Sequence, residues 1–243
     1  MNLGDRILSR GMTGGDVVEL QMRLAGFSGT IWSGTYGPNT ESQVVVFQKD
    51  YMKVSPSGVV DSNTINALVK FTQDFPIDFN HLKCGCGTCS GFGHGQFPHY
   101  YEAGKPEVEA YYKYEYPGIH KAILHAFRAA WFYSRQAGLG EAIISCGYRC
   151  WVNNAQHSRT STNHMGKAID WVPTSNKPND VRALMVQKSN FQIGWSISDM
   201  KALEPADIAP TWVHMDVRSM SSNFLNDLYF VKNTEDLDSL VIK

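Results

Sequence analysis

Residues 84–95 contain five glycines and three cysteines, a composition that regular helices and strands do not tolerate. They belong to a longer irregular stretch, residues 73–117, that begins where Asp74-Phe75-Pro76 breaks a helical pattern and that follows a shorter N-terminal part of the 243-residue chain. This N-terminal part and the longer C-terminal part are each long enough to bury a core of their own. We therefore predict one domain at residues 1–72, a linker at residues 73–80 and a second domain at residues 81–243.

The overall composition excludes several classes of protein. Hydrophobic residues make up 43% and charged residues 19% of the chain, as in ordinary globular proteins. The 22 basic and 23 acidic residues leave a net charge of -1, so we expect no nucleic-acid partner. No apolar run approaches the roughly 20 residues that span a bilayer, so we expect no stable membrane insertion. The first residues lack the features of a secretory signal, which predicts a cytoplasmic product. We also expect the protein to be a monomer.

The N-terminal part predicts a bundle of three short helices. Apolar residues recur at helical spacing after Asp16, a predicted N-cap, and Gly26 is expected to end this first helix. The same pattern recurs at residues 40–51 and at residues 61–71.

A set of residues occurs in a definite order over residues 7–72 of this part. They are Arg10-Gly11, Asp16-Val17, Leu20-Gln21, Leu24, Gly34, Tyr36-Gly37, Thr40, Val44, Phe47-Gln48, Gly58-Val59 and Thr64. Their order resembles the peptidoglycan-binding-type domains. In that family the unit is a three-helix bundle with an internal pseudo-repeat, and the resemblance implies that bacterial peptidoglycan is a partner. The alternative is that the apolar positions are only core and the glycines only turns.

The C-terminal part mixes helical and strand patterns. Helices are predicted at residues 119–138 and 179–187, and strands at residues 142–145 and 212–218. We therefore expect an α+β domain with an antiparallel sheet. A group of aromatic residues is expected either to pack on this core or to line a groove: Phe97, Tyr100, Tyr101, Tyr111, Tyr112, Tyr114 and Tyr116.

Three short segments of this domain carry residues that could act as metal ligands or catalytic groups. They are residues 145–149 (Ser-Cys-Gly-Tyr-Arg), residues 163–170 and residues 212–218. A catalytic zinc ion needs three imidazole or carboxylate ligands and an open fourth position, and His164, Asp170 and His214 supply such a set. The sequence therefore predicts one Zn²⁺ as cofactor.

These segments resemble the zinc D-alanyl-D-alanine peptidases, whose fold is shared by lysostaphin-type enzymes and the hedgehog signalling domain. The resemblance covers nearly all of the C-terminal domain and implies hydrolysis of amide bonds. Arg149 is expected to bind a substrate carboxylate or to stabilise the oxyanion, with a surface salt bridge as the alternative.

The sequence departs from the family pattern in three places. Only five residues separate His164 from Asp170, one fewer than is usual, so His157 is an alternative ligand. Cys146 is inserted before the Gly-Tyr-Arg segment. Thr211 occupies the position where many relatives carry an acidic residue, and its hydroxyl is not a suitable proton acceptor.

The general base must therefore come from elsewhere. Asp216 is the first candidate, because residues two apart on a strand face the same side as each other, which places it beside His214. Glu204 and Asp207 are the other candidates. Asp216 has a second interpretation, in which its carboxylate only orients a ligand histidine.

The five cysteines leave further possibilities open. Three of them lie between two histidines, and this cluster could hold a second, structural zinc: His81, Cys84, Cys86, Cys89 and His94. Cys146 and Cys150 flank Arg149 and could pair as a disulfide.

Together these features predict a zinc metallopeptidase that cuts the peptide stems or cross-links of peptidoglycan. The combination resembles a bacteriophage endolysin that accumulates in the host cytoplasm and acts on the wall after release. Two alternatives remain. One is a bacterial D,D-carboxypeptidase that trims terminal D-alanine, and the other is a non-catalytic wall-binding protein with a degenerate peptidase domain.

Overall fold

The computed structural model describes residues 1–31, 33–95, 114–159, 161, 164–189, 203–217, 220 and 222–242. Helices and antiparallel strands occur together in this part of the chain, which confirms the predicted α+β class. No helix in the same part is long and apolar enough to cross a bilayer.

The N-terminal part forms three helices, as predicted. They are α1 (Gly15–Arg23), α2 (Pro38–Asp50) and α3 (Ser62–Asp74). The prediction that Asp16 caps the first helix is wrong, because Gly14 occupies the cap position. The carboxylate of Asp16 instead lies inside the first turn, where it binds Arg6 Nε at 2.7 Å.

Two buried glutamines show the internal repeat of this helical unit. The Gln21 side-chain oxygen accepts hydrogen bonds from the backbone N–H groups of Ser33 and Gly34, and the Gln21 side-chain nitrogen donates to the carbonyl of Thr35. Gln48 makes the same three bonds with residues 57–59. Each amide thereby satisfies the backbone of the turn that precedes the next helix.

The remaining elements belong to the C-terminal part. Its strands are β1 (Ile119–His120), β2 (Ala142–Cys146), β3 (Ala168–Pro173), β4 (Val213–Asp216) and β5 (Phe230–Val231). Its helices are α4 (Lys121–Gln136), α5 (Trp151–Gln156), α6 (Pro178–Lys188) and α7 (Thr234–Asp238), with 3-10 turns at Phe79–Leu82, Ser222–Phe224 and Asp227–Tyr229.

Strands β2, β3 and β4 form an antiparallel sheet with β3 in the centre, while β1 pairs with β5. The predicted helices correspond to α4 and α6, and the predicted strands to β2 and β4. Helix α4 packs on the sheet through an edge contact between Phe127 and the fully buried Trp171. The Trp171 indole N–H donates to the sulfur of Met215 at 3.3 Å, which ties β3 to β4.

The segment predicted as a linker, residues 73–80, begins in the last two residues of α3, which ends at Asp74. Its apolar side chains Phe75, Ile77 and Phe79 are all buried. The backbone carbonyl of Phe75 accepts a hydrogen bond from Arg128 Nε on α4 at 3.0 Å. This connection is therefore anchored to the second domain through its alternate, apolar side chains.

Residues 1–72 also pack directly on α4. The Phe27 ring contacts Phe132 and Tyr133 of α4 at centroid distances of 5.8 and 5.7 Å. Glu19 of α1 pairs with Arg23 on its own helix and with Lys121 of α4, and all three side chains are buried. The two parts thus share one apolar core and a buried ionic contact.

Gly26 allows a close approach between the two parts. Its φ of +92° is one that L side chains rarely adopt, and a Cβ there would lie 2.6 Å from the Ala129 Cβ. Any larger residue would push the turn after α1 away from α4.

Two aromatic residues of the predicted group lie in the described chain, and both pack. The Tyr116 ring stacks on Phe230 with centroids 4.1 Å apart, and Tyr114 meets Tyr116 edge-on at 4.6 Å. The other members, Phe97, Tyr100, Tyr101, Tyr111 and Tyr112, lie outside the described residues.

The Gly26 contact gives a stability prediction with a matched control. Gly11 has a similar φ of +94°, but a Cβ there would meet nothing within 4 Å. Gly11→Ala should therefore cost only the backbone strain, about 1–2 kcal/mol. Gly26→Ala should cost about 1–3 kcal/mol more, because it also overpacks the interface. Urea unfolding of the whole chain measures both, and equal losses would contradict the interface described here.

Candidate active site

The register of the three-stranded sheet brings the candidate site residues of its strands together. Asp170 on β3 lies opposite Cys146 of β2 on one side and opposite His214 of β4 on the other. Directly opposed residues in antiparallel strands point to the same face of the sheet. Asp216, two residues after His214, shares that face and pairs with Ala168.

The Asp170 carboxylate is the centre of this arrangement. Its Oδ1 lies 2.6 Å from His214 Nδ1, and its Oδ2 lies 3.2 Å from His164 Nε2. Arg149 Nη2 donates to the same Oδ2 at 2.9 Å. Asp170 and both histidines are buried, with exposed fractions of 4% or less. The structure therefore brings together the three predicted ligands and Arg149.

The protonation of His164 follows from its partners. Its Nδ1 lies 2.8 Å from the backbone carbonyl oxygen of Gly147, which can only accept, so Nδ1 carries a hydrogen. In the neutral ring the Nε2 lone pair then faces the Asp170 oxygen at 3.2 Å. Two acceptors at this distance repel each other unless a proton or a metal cation lies between them.

His214 presents the same situation on both ring nitrogens. Its Nδ1 faces Asp170, and its Nε2 lies 3.0 Å from Asp216 Oδ2. A neutral imidazole has only one N–H, so it can donate to only one of the two carboxylates. The other contact requires a second proton or a cation.

The electrostatics of the site follow from burial and close charges. Burial opposes the charged form of His164, but the Asp170 carboxylate outweighs it and raises the pKa of His164 to about 10. Burial likewise lowers the pKa of His214, while hydrogen bonds to Asp170 and Asp216 raise it above the ordinary value overall. Burial alone would raise the pKa of Asp170, but the two histidines hold it well below its usual range.

Gly166 shapes the short loop between His164 and Asp170. Its φ is +117°, and a Cβ there would lie 2.7 Å from the backbone oxygen of Gly118. The Gly166 carbonyl accepts a hydrogen bond from His120 N at 2.8 Å, which fixes the loop against β1. The close spacing in the sequence is therefore compatible with both side chains reaching the same centre.

Cys146 is a member of the site that the sequence analysis did not place there. Its sulfur accepts a hydrogen bond from Arg149 Nε at 2.9 Å. One donor atom from each of Cys146, His164 and Asp170 lies within 4.8 Å of the others, so the three could also hold a metal ion together. Burial raises the pKa of the thiol, but His164 and Arg149 lower it below the ordinary value overall. Only the strand register, which pairs Cys146 with Asp170, reveals this place in the site, because in the sequence pattern Cys146 is an insertion before Gly-Tyr-Arg.

The candidate bases occupy different places. Asp216 contacts His214 on the ring nitrogen that points away from Asp170. An isolated bridge between Leu203 and Met215 brings Glu204 alongside β4, where its Oε1 lies 3.9 Å from His214 Nε2. Asp207 and Thr211 are both exposed.

His157, the alternative ligand, lies elsewhere. Its side chain is exposed, and its Nδ1 hydrogen-bonds to the carbonyl oxygen of Asn153 at 2.9 Å. It belongs to neither of the two groups of potential metal ligands in the described part of the chain.

The cysteines form no disulfide. The idea that Cys146 and Cys150 pair is wrong, because Cys146 lies beside Asp170 and Cys150 lies with Cys84, Cys86 and Cys89. His81 and His94, which were expected near these cysteines, are not members of that group. Its fourth member is Cys150.

Comparison with known families supports the N-terminal assignment. Residues 13–68 match the family described as putative peptidoglycan binding domain. This part of the chain is therefore a peptidoglycan-binding domain, which indicates association with the cell wall and peptidoglycan as a partner. No curated protein sequence matches the chain.

Proposed function

We propose that the chain is a zinc-dependent peptidase that hydrolyses amide bonds in the peptide part of bacterial peptidoglycan. The wall-binding domain at residues 13–68 supports the choice of substrate. One observation supports the chemistry above all: a single buried carboxylate, Asp170, faces one ring nitrogen of His164 and one of His214.

The donor set at Asp170 fits a zinc ion. Two imidazole nitrogens and one carboxylate oxygen are the ligand types of catalytic zinc sites, which keep one position open. The second nitrogen of His164 is held by the Gly147 carbonyl, and the second nitrogen of His214 by Asp216. Ligand histidines in zinc sites almost always have such a partner on the other nitrogen. Zinc bound here would lower the pKa of a water molecule toward about 7 and polarise the scissile carbonyl.

The protein groups around this position have separate tasks. Arg149 is fixed by Asp170 and Cys146, and only 16% of its side chain is exposed. Its guanidinium is placed to neutralise negative charge on the substrate as the amide bond breaks. Asp216 holds His214 in the orientation that turns Nδ1 toward Asp170.

Glu204 is the candidate base that solvent exposure favours. Its Oε1 lies 3.9 Å from His214 Nε2, on the same side of the ring as Asp216, but 26% of its side chain is exposed, so it can meet incoming water. Asp216 is 2% exposed and already faces the imidazole, which leaves it poorly placed to accept a proton from water.

A second candidate function is a wall-binding protein with no hydrolytic activity. The exposed Thr211 at the position of the usual acidic residue favours it. Release of new amino groups from purified sacculi separates the two functions, because binding alone releases none. The endolysin role, storage in a host cytoplasm before lysis and the trimming of terminal D-alanine remain predictions within the hydrolytic function.

His214→Ala tests the proposed function directly. Loss of one of three ligands should remove zinc from this centre and abolish amino-group release from sacculi. Binding to sacculi should persist, since residues 13–68 are untouched. His157→Ala is the matched control, because this exposed histidine lies outside the site. Undiminished hydrolysis by the His214 variant would rule out the mechanism.

Arg149→Ala should reduce turnover by about 10² to 10³, the range for losing one group that stabilises the oxyanion. Since Arg149 also binds Asp170, zinc affinity is measured separately, and turnover is assayed at saturating zinc. Arg135→Ala serves as the control, because Arg135 is exposed and pairs with Glu141. Turnover equal to wild type at saturating zinc would remove Arg149 from the catalytic groups.

Glu204→Gln and Asp216→Asn should separate the base from the orienting carboxylate. Glu204→Gln should lower turnover by about 10² to 10⁴ with zinc content unchanged. Asp216→Asn should weaken zinc binding by about 10 to 100-fold, and excess zinc should restore most of its activity. Asp207→Asn should change neither quantity. If only the Asp207 variant loses turnover, the base is Asp207 and the assignment of Glu204 is wrong.

A further inference from the structure

Four cysteine sulfurs lie together outside the Asp170 site. The Sγ atoms of Cys84, Cys86, Cys89 and Cys150 are all within 4.8 Å of one another, and none is part of a disulfide. Three of them come from the glycine-rich segment at residues 84–95. The fourth follows Arg149 in the chain and is the N-cap of α5.

The cluster has the size and shape of a small metal site. Zn–S bonds of about 2.3 Å in a tetrahedron place the sulfurs about 3.8 Å apart, within the limit observed here. Small side-chain rotations would suffice to close the cluster around an ion. Two separate disulfides would give two close sulfur pairs, and they would not require all four atoms to be mutual neighbours.

Backbone N–H groups point at all four sulfurs. Cys150 N donates to Cys84 Sγ at 3.4 Å, and Asn153 N donates to Cys150 Sγ at 3.4 Å. Cys86 Sγ accepts from the backbone of residues 88 and 89, and Cys89 Sγ accepts from residue 91. Such donors stabilise thiolates rather than thiols. Four thiolates this close together require a cation among them.

We propose that Cys84, Cys86, Cys89 and Cys150 form a tetrathiolate site for a structural zinc ion, separate from the Asp170 centre. All-sulfur tetrahedral sites select zinc or iron over harder cations. With four protein ligands the site is closed, so it leaves no position for substrate or water.

The position of the site suggests what it stabilises. Tyr148 N donates to the carbonyl of Leu82 at 2.7 Å, so the chain on either side of the cluster is already in contact. An ion bound between Cys84 and Cys150 would fasten the irregular segment to the loop that carries Arg149. It would thereby hold the backbone next to Arg149, the residue before Cys150.

The experiment uses the whole protein loaded with zinc or with cobalt(II). Cobalt in a tetrathiolate site gives strong near-ultraviolet charge-transfer bands, and these should disappear in Cys150→Ser. The metal content should fall by one ion per chain in this variant. Titration with a thiol reagent should find at most one reactive thiol, Cys146, in the zinc-loaded native protein, and five after unfolding with a chelator.

Cys86→Ser is the second variant, because Cys86 is partly exposed and its replacement disturbs the core less than that of the buried Cys150. It should lose the same ion and the same bands. His214→Ala should keep them, so failure here is distinguishable from failure of the proposed catalytic centre. Fewer than five thiols after unfolding would indicate disulfides and overturn the proposal. So would cobalt bound without thiolate bands, or visible absorption of iron in the purified protein.

Discussion

The Asp170 carboxylate, buried in the central strand of a three-stranded sheet, is the constraint on which the site depends. A buried charge without partners would be strongly destabilising, so the surrounding chain must supply cations or donors. Arg149, His164 and His214 approach it from three different segments. The tight loop at Gly166 lets His164 reach this carboxylate although only five residues separate the two.

The same principle operates at other buried cations of the chain. Arg128 on α4 is fully buried, where it pairs with Asp238 through two hydrogen bonds and donates to the carbonyl of Phe75. Arg23 of α1 donates to the carbonyl oxygen of Ser239 near the end of the chain. The N-terminal part is thereby fastened to the C-terminal end of the chain.

Much of the fold could be predicted from the sequence, because apolar periodicity reports local structure. The helices at residues 40–51 and 61–71 and the strand at residues 142–145 follow from such patterns. The cap at Asp16 could not be predicted reliably, since its carboxylate is taken by Arg6, a partner ten residues away. Local patterns carry no information on such competition.

The residue types of the candidate site could be predicted from the sequence, but its geometry could not. The side-chain chemistry of His164, Asp170 and His214 predicts a ligand set, and the structure places the three side chains together. The places of Cys146 and Cys150 depend on strand register and on the path of the 84–95 segment, which bring together residues far apart in sequence. The contact of Asp216 with His214 Nε2, on the side of the ring away from Asp170, likewise emerges only from the three-dimensional arrangement.

The most direct measurement is mass analysis of the soluble fragments released from purified peptidoglycan by the wild-type protein and by Asp170→Asn. The wild-type protein should release fragments with newly formed amino and carboxyl termini in the peptide stems or cross-links, and their masses would identify the bond. The Asp170 variant should still bind the insoluble wall but release none. Equal release by both proteins, or cleavage confined to the sugar chain, would contradict the account.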